Sequence, residues 1–254
     1  MREELRRGFP GTRIGGIDRA AGPLDLLTGV YGACTVAGIY GIPLLYAEDN
    51  WPNCEHAYLS DDEMDALEPP DLGRNAFFLD LIRQAEWIAS NEGRVEGFIN
   101  WQGVLNNAYR LRGETLFCDM VDNPDRARHL FDCVCSTMIE VVSRLYARQR
   151  DAGVVVDFVT VSNCLVSLVS PAQYSDLLLP YDRRIAEAFG CIGIHNCAWK
   201  ADPYFDHSIT VPHLAYIGMG LDSDLRRARQ AFPDARRAIM YTPTHLTSIT
   251  RSGL

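Results

Sequence analysis

The chain has 254 residues, of which 47% are hydrophobic and 22% charged, and its formal net charge is -9. These values are ordinary for a globular protein, so we expect one folded domain covering residues 1–254 rather than disorder. The 24 basic against 33 acidic residues argue against nucleic acid or an anionic membrane as a partner, because both attract clustered positive charge.

The sequence predicts a cytoplasmic protein. No apolar run approaches the roughly 20 residues needed to cross a bilayer, and MREELRRGFPGTR at the N-terminus lacks the apolar core of a signal peptide. Eight cysteines in a chain of this length do not make a dense disulfide framework, so we expect reduced thiols. Cys133 and Cys135 lie within a helical pattern and are expected to pack in the core.

Short β-rich runs alternate with helical patterns along the chain, which is typical of βα units on a parallel sheet. The weakest candidate is an N-terminal strand at TRIGGID (12–18). The clearer predicted strands are, in order, IPLLYAEDN (42–50), RVEGFINWQG (94–103), GVVVDFVTVSNC (153–164), CIGIHNC (191–197), LAYIGMGLD (214–222) and RAIMYTP (237–243).

Three helix starts are also readable from the sequence. Pro124 predicts the first turn of a long helix, and Ser170 followed by Pro171 predicts the start of the next. Ser223 is predicted to cap a later helix, with Asp224 in its first turn. The arginine-rich segment LRRARQAFPDARRA that follows is predicted to be an exposed cationic helix and turn.

Each predicted strand ends in side chains that can do chemistry. In a (β/α) barrel the carboxyl ends of the strands form the active-site face, so this arrangement predicts a (β/α)8 TIM-type barrel. The short ends of the chain suggest a barrel that is incomplete or shortened at its termini. An open doubly wound sheet is the alternative, but neither G-x-G-x-x-G nor G-x-x-x-x-G-K occurs.

The candidate site residues come from these strand ends. Carboxylates after the first strand, Glu48 and Asp49, suit general acid–base catalysis. An aromatic ring and two amides close the second strand and suit a flat or amide-bearing ligand, although the ring could equally plug the barrel. These residues are Asn100, Trp101 and Gln102, and the further candidate substrate contacts at later strand ends are Asn163 and His245.

From Gly97 onward, the order of features resembles the uroporphyrinogen decarboxylase superfamily, including its cobamide methyltransferase branch. The segments that carry the resemblance cover roughly the last three fifths of the chain and imply a TIM-type barrel. They are GFINWQGVLNNAYRLRG, DMVDNPDRARHLF, VSPAQYSDLLLPYDRRIAEAFG and IGIHNC. TGVYGACTVAGIYGIPLLYAEDNWP is more weakly similar to an earlier unit of the family.

The pair His195 and Cys197 resembles the His-x-Cys pair of the methyltransferase branch. In that branch the pair binds zinc together with a distant cysteine near the last strand. Decarboxylases instead rely on an arginine-rich N-terminal loop, which MREELRRGFPGTR does not reproduce. The resemblance therefore implies zinc as a cofactor and a corrinoid (methylcobamide) as substrate or partner cofactor. No cysteine follows Cys197 in this chain.

A catalytic zinc usually has three protein ligands and one open position, so a third ligand is needed. Cys164 is the best candidate, because it ends the strand before His195 and would share the same rim of a barrel. Glu48 and Asp49 are oxygen alternatives. We therefore expect one cavity to collect four strand-end side chains: Glu48, Asn100, Cys164 and His195. The alternative is that His195 is an ordinary hydrogen-bonded structural residue.

The reaction implied by the resemblance moves a methyl group between a corrinoid or methylated small molecule and a zinc-activated, thiol-like acceptor. A metal-free decarboxylase (carboxy-lyase) and a non-catalytic corrinoid-binding relative are the alternatives. The partners implied are a small-molecule or corrinoid substrate, a corrinoid protein and a second copy of the chain.

Overall fold

The structure, a computed structural model, describes Arg7, Leu27, residues 29–242 and Thr244. The predicted strand at 12–18 and the candidate substrate contact His245 lie outside the described residues. No helix in the described part of the chain is long and apolar enough to cross a membrane.

A small helix and a hairpin precede the main sheet. Helix α1 (Thr35–Ile39) is followed by strands β1 (Leu44–Ala47) and β2 (Asn50–Cys54), which pair with each other in antiparallel fashion. The prediction that 42–50 is a strand of the parallel sheet is wrong. The chain turns at Glu48 and Asp49 because the Glu-Asp-Asn sequence favours a turn over a continued strand. Both carboxylates are therefore exposed in a hairpin turn.

Five parallel strands form the sheet in the described residues, and their order in space is their order in the chain. This sequential order is that of a barrel wall. The strands are β3 (Trp101–Gln102), β4 (Val159–Ser162), β5 (Ile192–His195), β6 (Leu214–Gly220) and β7 (Arg236–Met240). Within the described residues the sheet is open at β3 and β7, so closure into a (β/α)8 barrel stays a prediction.

The predicted strands of this sheet are present, but they are shorter than expected. At 94–103 only two residues pair in β3. Gly97 has a φ of +97°, a conformation that does not continue a strand. The chain therefore reaches its pairing position only at Trp101.

Helices and helical turns connect the strands. The helices are α2 (Asp61–Asp65), α3 (Ala76–Glu92), α4 (Val104–Arg112), α5 (Thr115–Asp122), α6 (Pro124–Asp151), α7 (Pro171–Gln173), α8 (Leu179–Phe189), α9 (Phe205–Ser208) and α10 (Leu225–Ala231). A π-helical turn (Tyr174–Leu178) joins α7 to α8, and 3-10 turns occupy Cys164–Leu168 and Asp202–Tyr204.

The starts of α6 and α7 are confirmed. Pro124 is in the first turn of α6, and Asn123 caps it by accepting a hydrogen bond from the Arg126 backbone. At α7, Ser170 and Gln173 form a reciprocal capping box. The apolar face of α6 forms part of the main core, and Cys133 and Cys135 are buried in this helix as expected.

The predicted cap of α10 is wrong by one residue. The carboxylate of Asp224 accepts hydrogen bonds from the backbone of Arg226 and Arg227, so Asp224 is the N-cap. The Ser223 hydroxyl is buried and accepts from the Ala201 backbone instead. The helix is exposed as predicted, because its arginines face solvent at positions 226 and 229.

Candidate functional site

Parallel pairing puts three polar side chains in one row at the carboxyl ends of the strands. Gln102 pairs with Ser162, and Ser162 pairs with His195. Paired residues of neighbouring strands point to the same face of a sheet, so the three side chains share a face. On β6 this row continues at Gly218, where a Cβ would lie 3.2 Å from His195 Nδ1. The glycine therefore leaves room for the imidazole.

Two cysteine sulfurs meet just beyond this row. Cys164 opens the 3-10 turn after β4, Cys197 lies in the loop after β5, and their Sγ atoms are 2.7 Å apart. The strand ends are tied together because the Asn163 backbone donates to the His195 carbonyl at 2.8 Å. Cys197 has a φ of +50°, a region that residues other than glycine rarely adopt. This unusual turn directs Cys197 toward Cys164.

The contact between the two sulfurs shifts the pKa values of Cys164 and Cys197 in opposite directions. Hydrogen bonding between the two sulfurs is the largest of the causes that lower the pKa of Cys164 to about 7. The same contact, with burial, raises the pKa of Cys197. The two thiols therefore titrate as a coupled pair that loses its first proton near neutral pH.

The imidazole of His195 faces the neighbouring strand. Its Nδ1 lies 3.5 Å from the Tyr216 hydroxyl, and burial lowers the pKa of the ring. A neutral imidazole is the form that can serve as a metal ligand or accept a hydrogen bond.

The donor types of this cluster fit zinc, which prefers thiolate sulfur and imidazole nitrogen. The three side chains are not assembled around one point, however. In the described residues no group of three His, Cys, Asp or Glu side chains is close enough to hold a metal ion. Two sulfurs on one tetrahedral zinc lie about 3.8 Å apart, so the Cys164–Cys197 pair would have to open.

Two of the other predicted site residues, Trp101 and Asn163, are buried and make their contacts within the protein. Trp101 is 2% exposed and belongs to the main core, which favours its alternative role as a plug. Asn163 is also buried, and its Nδ2 donates to Asp182 at 2.9 Å. A Cβ on Gly103 would lie 1.9 Å from Asn163 Oδ1, so the amide is enclosed on both sides.

Of the four side chains expected in one cavity, three lie at the same end of the described sheet, but none of these three lines the cavity found there. Asn100 Oδ1 lies 3.5 Å from the Ser162 hydroxyl, and Ser162 pairs with His195 and precedes Cys164 by two residues. Glu48 belongs to the hairpin turn and not to a strand end of the sheet, so its predicted place beside the others is wrong.

A cavity of about 220 Å³ opens next to this cluster. Gln102 is the predicted site residue that lines it, and Asn106 links it to the sulfur pair. Asn106 donates to Gln102 Oε1 at 2.8 Å and accepts from the Leu165 backbone at 3.1 Å. The lining residues are Cys54, Glu55, His56, Tyr58, Gln102, Asn106, Tyr109, Arg110 and Leu165.

The sequence did not predict that Arg110 would form part of a second wall of the cavity. Arg110 donates from Nη1 to Asn53 Oδ1 at 3.1 Å and to Cys54 Sγ at 3.4 Å. Its Nε is buried without a hydrogen-bond partner, and no carboxylate in the described part of the chain pairs with it. One available signal was the spacing of Asn106 and Arg110, since residues four apart share a helix face.

The family model for uroporphyrinogen decarboxylase (URO-D) matches residues 15–234. Among solved structures, a methyltransferase from Methanosarcina mazei superposes with a TM-score of 0.64 and 14% sequence identity. The match covers 85% of this chain and 64% of that chain, so this chain spans less than two thirds of the methyltransferase's length. At this identity the likeness shows a shared fold alone. No curated protein matches the sequence.

Proposed function

Because the chain belongs to the uroporphyrinogen decarboxylase family, we propose that it is an enzyme of the methyltransferase branch of that family. The proposed reaction moves a methyl group between a corrinoid or methylated small molecule and a thiol-like acceptor. The observation that carries the proposal is the 2.7 Å contact between Cys164 and Cys197, next to His195 at the carboxyl ends of two adjacent strands. These three residues would hold a zinc ion.

Each ligand residue has a defined task. Cys164 offers a sulfur that is already partly deprotonated near neutral pH, whereas Cys197 must release its proton when metal binds. His195 offers a neutral ring nitrogen. Zinc, when bound, lowers the pKa of a coordinated acceptor thiol and fixes its direction of attack.

The cavity walls orient the reactants. The amides of Gln102 and Asn106 present polar groups to a ligand, while Tyr58, Tyr109 and Leu165 provide apolar surface that excludes water. In the transfer step the acceptor sulfur forms a bond to the methyl carbon. The bond between that carbon and the donor breaks, and its electron pair leaves with the donor.

The test is consumption of methylcobalamin by the zinc-loaded protein in the presence of a small thiol, followed by the change in the corrinoid absorption spectrum. Wild-type protein should transfer the methyl group, and Cys197→Ser should lower the rate by at least about tenfold, because a hydroxyl is a poor zinc ligand. Cys191→Ser, which changes a thiol ahead of β5, should stay near the wild-type rate. Equal rates for the two variants would contradict the proposal, and so would an inactive wild type.

Arg110 favours a second candidate function, a metal-free decarboxylase. A guanidinium at a cavity wall that pairs with none of the described carboxylates suits a carboxylated substrate. This candidate predicts release of CO2 from such a substrate without added zinc. The release should be lost in Arg110→Met and should survive Cys197→Ser, whereas the methyltransferase proposal expects Cys197→Ser to lower the rate.

A further inference from the structure

A second pair of cysteines lies at the cavity and has no part in the proposed function. Cys54 ends β2, is 4% exposed and lines the cavity wall. Cys34 precedes α1 and is fully buried. Its Sγ lies 3.9 Å from the carbonyl oxygen of Pro52, which belongs to the same strand as Cys54. One sulfur of the pair is therefore accessible from the cavity, and the other lies behind it.

Asn53 and Arg110 hold this pair in place. Cys34 Sγ lies 3.8 Å from Asn53 Oδ1, which also accepts from Arg110 Nη1 at 3.1 Å. The same Nη1 is 3.4 Å from Cys54 Sγ. A cation at this distance stabilises a thiolate and makes a cysteine more reactive.

The backbone just before Cys34 approaches the backbone of β2 unusually closely. Gly32, just before Cys34, has a φ of +56°, and a Cβ at that position would lie 2.3 Å from the Pro52 carbonyl oxygen. Only glycine permits this approach, because a side chain would clash with the backbone of β2. The fold thus holds the segment that carries Cys34 against the strand that carries Cys54.

We propose that Cys54 and Cys34 form a thiol–disulfide exchange site whose substrate is a low-molecular-weight disulfide that carries carboxylates. The cavity gives such a molecule access to Cys54, and the Arg110 guanidinium, which forms no ion pair with a carboxylate of the described residues, attracts its negative charge. This site is separate from Cys164 and Cys197 and does not depend on the proposed methyl transfer.

The exchange balances in two steps. The Cys54 thiolate attacks one sulfur of the disulfide, forming a mixed disulfide and expelling the first thiolate. The Cys34 thiol then loses its proton and attacks the Cys54 sulfur, which releases the second thiolate. The two protein thiols are oxidised to one disulfide, and the substrate disulfide is reduced to two thiols after protonation.

The acidity of the two thiols agrees with this order of attack. Hydrogen bonding with Cys34, followed by that from Arg110, outweighs burial and lowers the pKa of Cys54 to about 6. The pKa of Cys34 is raised by hydrogen bonding with Cys54 and by burial. Cys54 is therefore the attacking thiolate, and Cys34 keeps its proton until the mixed disulfide has formed.

The proposal is tested by incubating the reduced full-length protein with oxidised glutathione and mapping the products by peptide mass spectrometry. The wild type should form a Cys34–Cys54 disulfide, whereas Cys34→Ser should accumulate one glutathione on Cys54. Arg110→Met should slow the reaction at Cys54 by at least about fivefold. Mapping measures the Cys164 and Cys197 peptides separately.

Cys118, which is exposed, is the internal control, because its thiol is open to solvent and to glutathione. The proposal fails if glutathione reaches Cys118 before Cys54, or if Cys54 reacts at the same rate with and without Arg110. The wild-type mapping remains decisive even if Cys34→Ser folds poorly, since a wild type that forms no Cys34–Cys54 disulfide also overturns the proposal.

Discussion

A buried carboxylate lies directly behind the strand ends. Asp182 is 3% exposed, and its Oδ2 accepts from Asn163 Nδ2 at 2.9 Å and from the Tyr174 hydroxyl at 2.8 Å. Burial raises the pKa of Asp182 from 3.8 to about 6 although both hydrogen bonds lower it. The folded protein therefore bears a desolvation cost for this charge at neutral pH.

This shift predicts a pH dependence of stability. Because the pKa of Asp182 is higher in the folded than in the unfolded protein, the protonated side chain contributes to stability. This contribution is fully present below about pH 4 and is lost as the pH rises through about 6. At about 1.4 kcal/mol per pKa unit, the loss amounts to about 3 kcal/mol. Asp182→Asn keeps an accepting oxygen but cannot ionise. Its free energy of unfolding, measured in urea, should therefore not show this loss as the pH rises.

Asp125→Asn is the matched control for the change in net charge, because the Asp125 side chain is 97% exposed. It should keep the wild-type loss of stability between about pH 4 and pH 7.5. An Asp182→Asn variant with the same pH profile as the wild type would show that Asp182 is not the buried titrating group.

At the scale of single residues, the sequence predicted which side chains stand at strand ends but not what each one contacts. Cys164 and Cys197 could be placed on one rim because both follow strands. The hydrogen bond of Asn163 could not be predicted, since its acceptor Asp182 lies in a later helix. The direction of the His195 ring likewise depends on Tyr216, one strand further along.

A buried arginine joins three helical segments. Arg112, at the end of α4, is 5% exposed, and its Nε donates to Asp119 Oδ2 in α5 at 2.8 Å. Its Nη1 donates to the Leu59 carbonyl at 2.6 Å, and its Nη2 bonds to Asp61 at the start of α2. Asp119 is also buried, so its charge depends on Arg112 for compensation.

Removing this cation should be costly. Arg112→Met leaves Asp119 buried and unpaired, and we expect the free energy of unfolding to fall by roughly 3–5 kcal/mol. Arg83→Met, which removes an exposed ion pair to Asp80 within α3, should cost less than about 1 kcal/mol. Chemical denaturation measures both, and similar losses for the two variants would contradict a structural role for the buried pair.

Elements whose signals are local were predicted best. The starts of α6 and α7 follow from caps and prolines next to them in sequence, and both starts are confirmed. The hairpin of β1 and β2 was missed, because an apolar run does not reveal whether its partner is parallel or antiparallel. Ser223 and Asp224 are both good caps, and only the buried contact of Ser223 with Ala201 decides between them.

At the scale of the whole molecule, the fold of the family and its parallel sheet determine which strand ends lie side by side at the candidate site. The sequential strand order puts the carboxyl ends of β3, β4 and β5 side by side, and the cavity and the sulfur pair lie there. The barrel was predicted from the side chains at the strand ends and is also implied by the resemblance, and the described residues form a sheet of five parallel strands where a closed barrel has eight. The placement of the site therefore rests on strand order and not on closure.

The most direct test of the central claim is the zinc content of the protein after equilibrium dialysis against zinc under reducing conditions, measured by elemental mass spectrometry. The wild type and Cys191→Ser should each retain about one zinc per chain, whereas Cys164→Ser and Cys197→Ser should lose most of it, since each removes a sulfur ligand. A wild type without zinc, or serine variants at 164 and 197 that keep as much zinc as Cys191→Ser, would contradict a metal site at this sulfur pair.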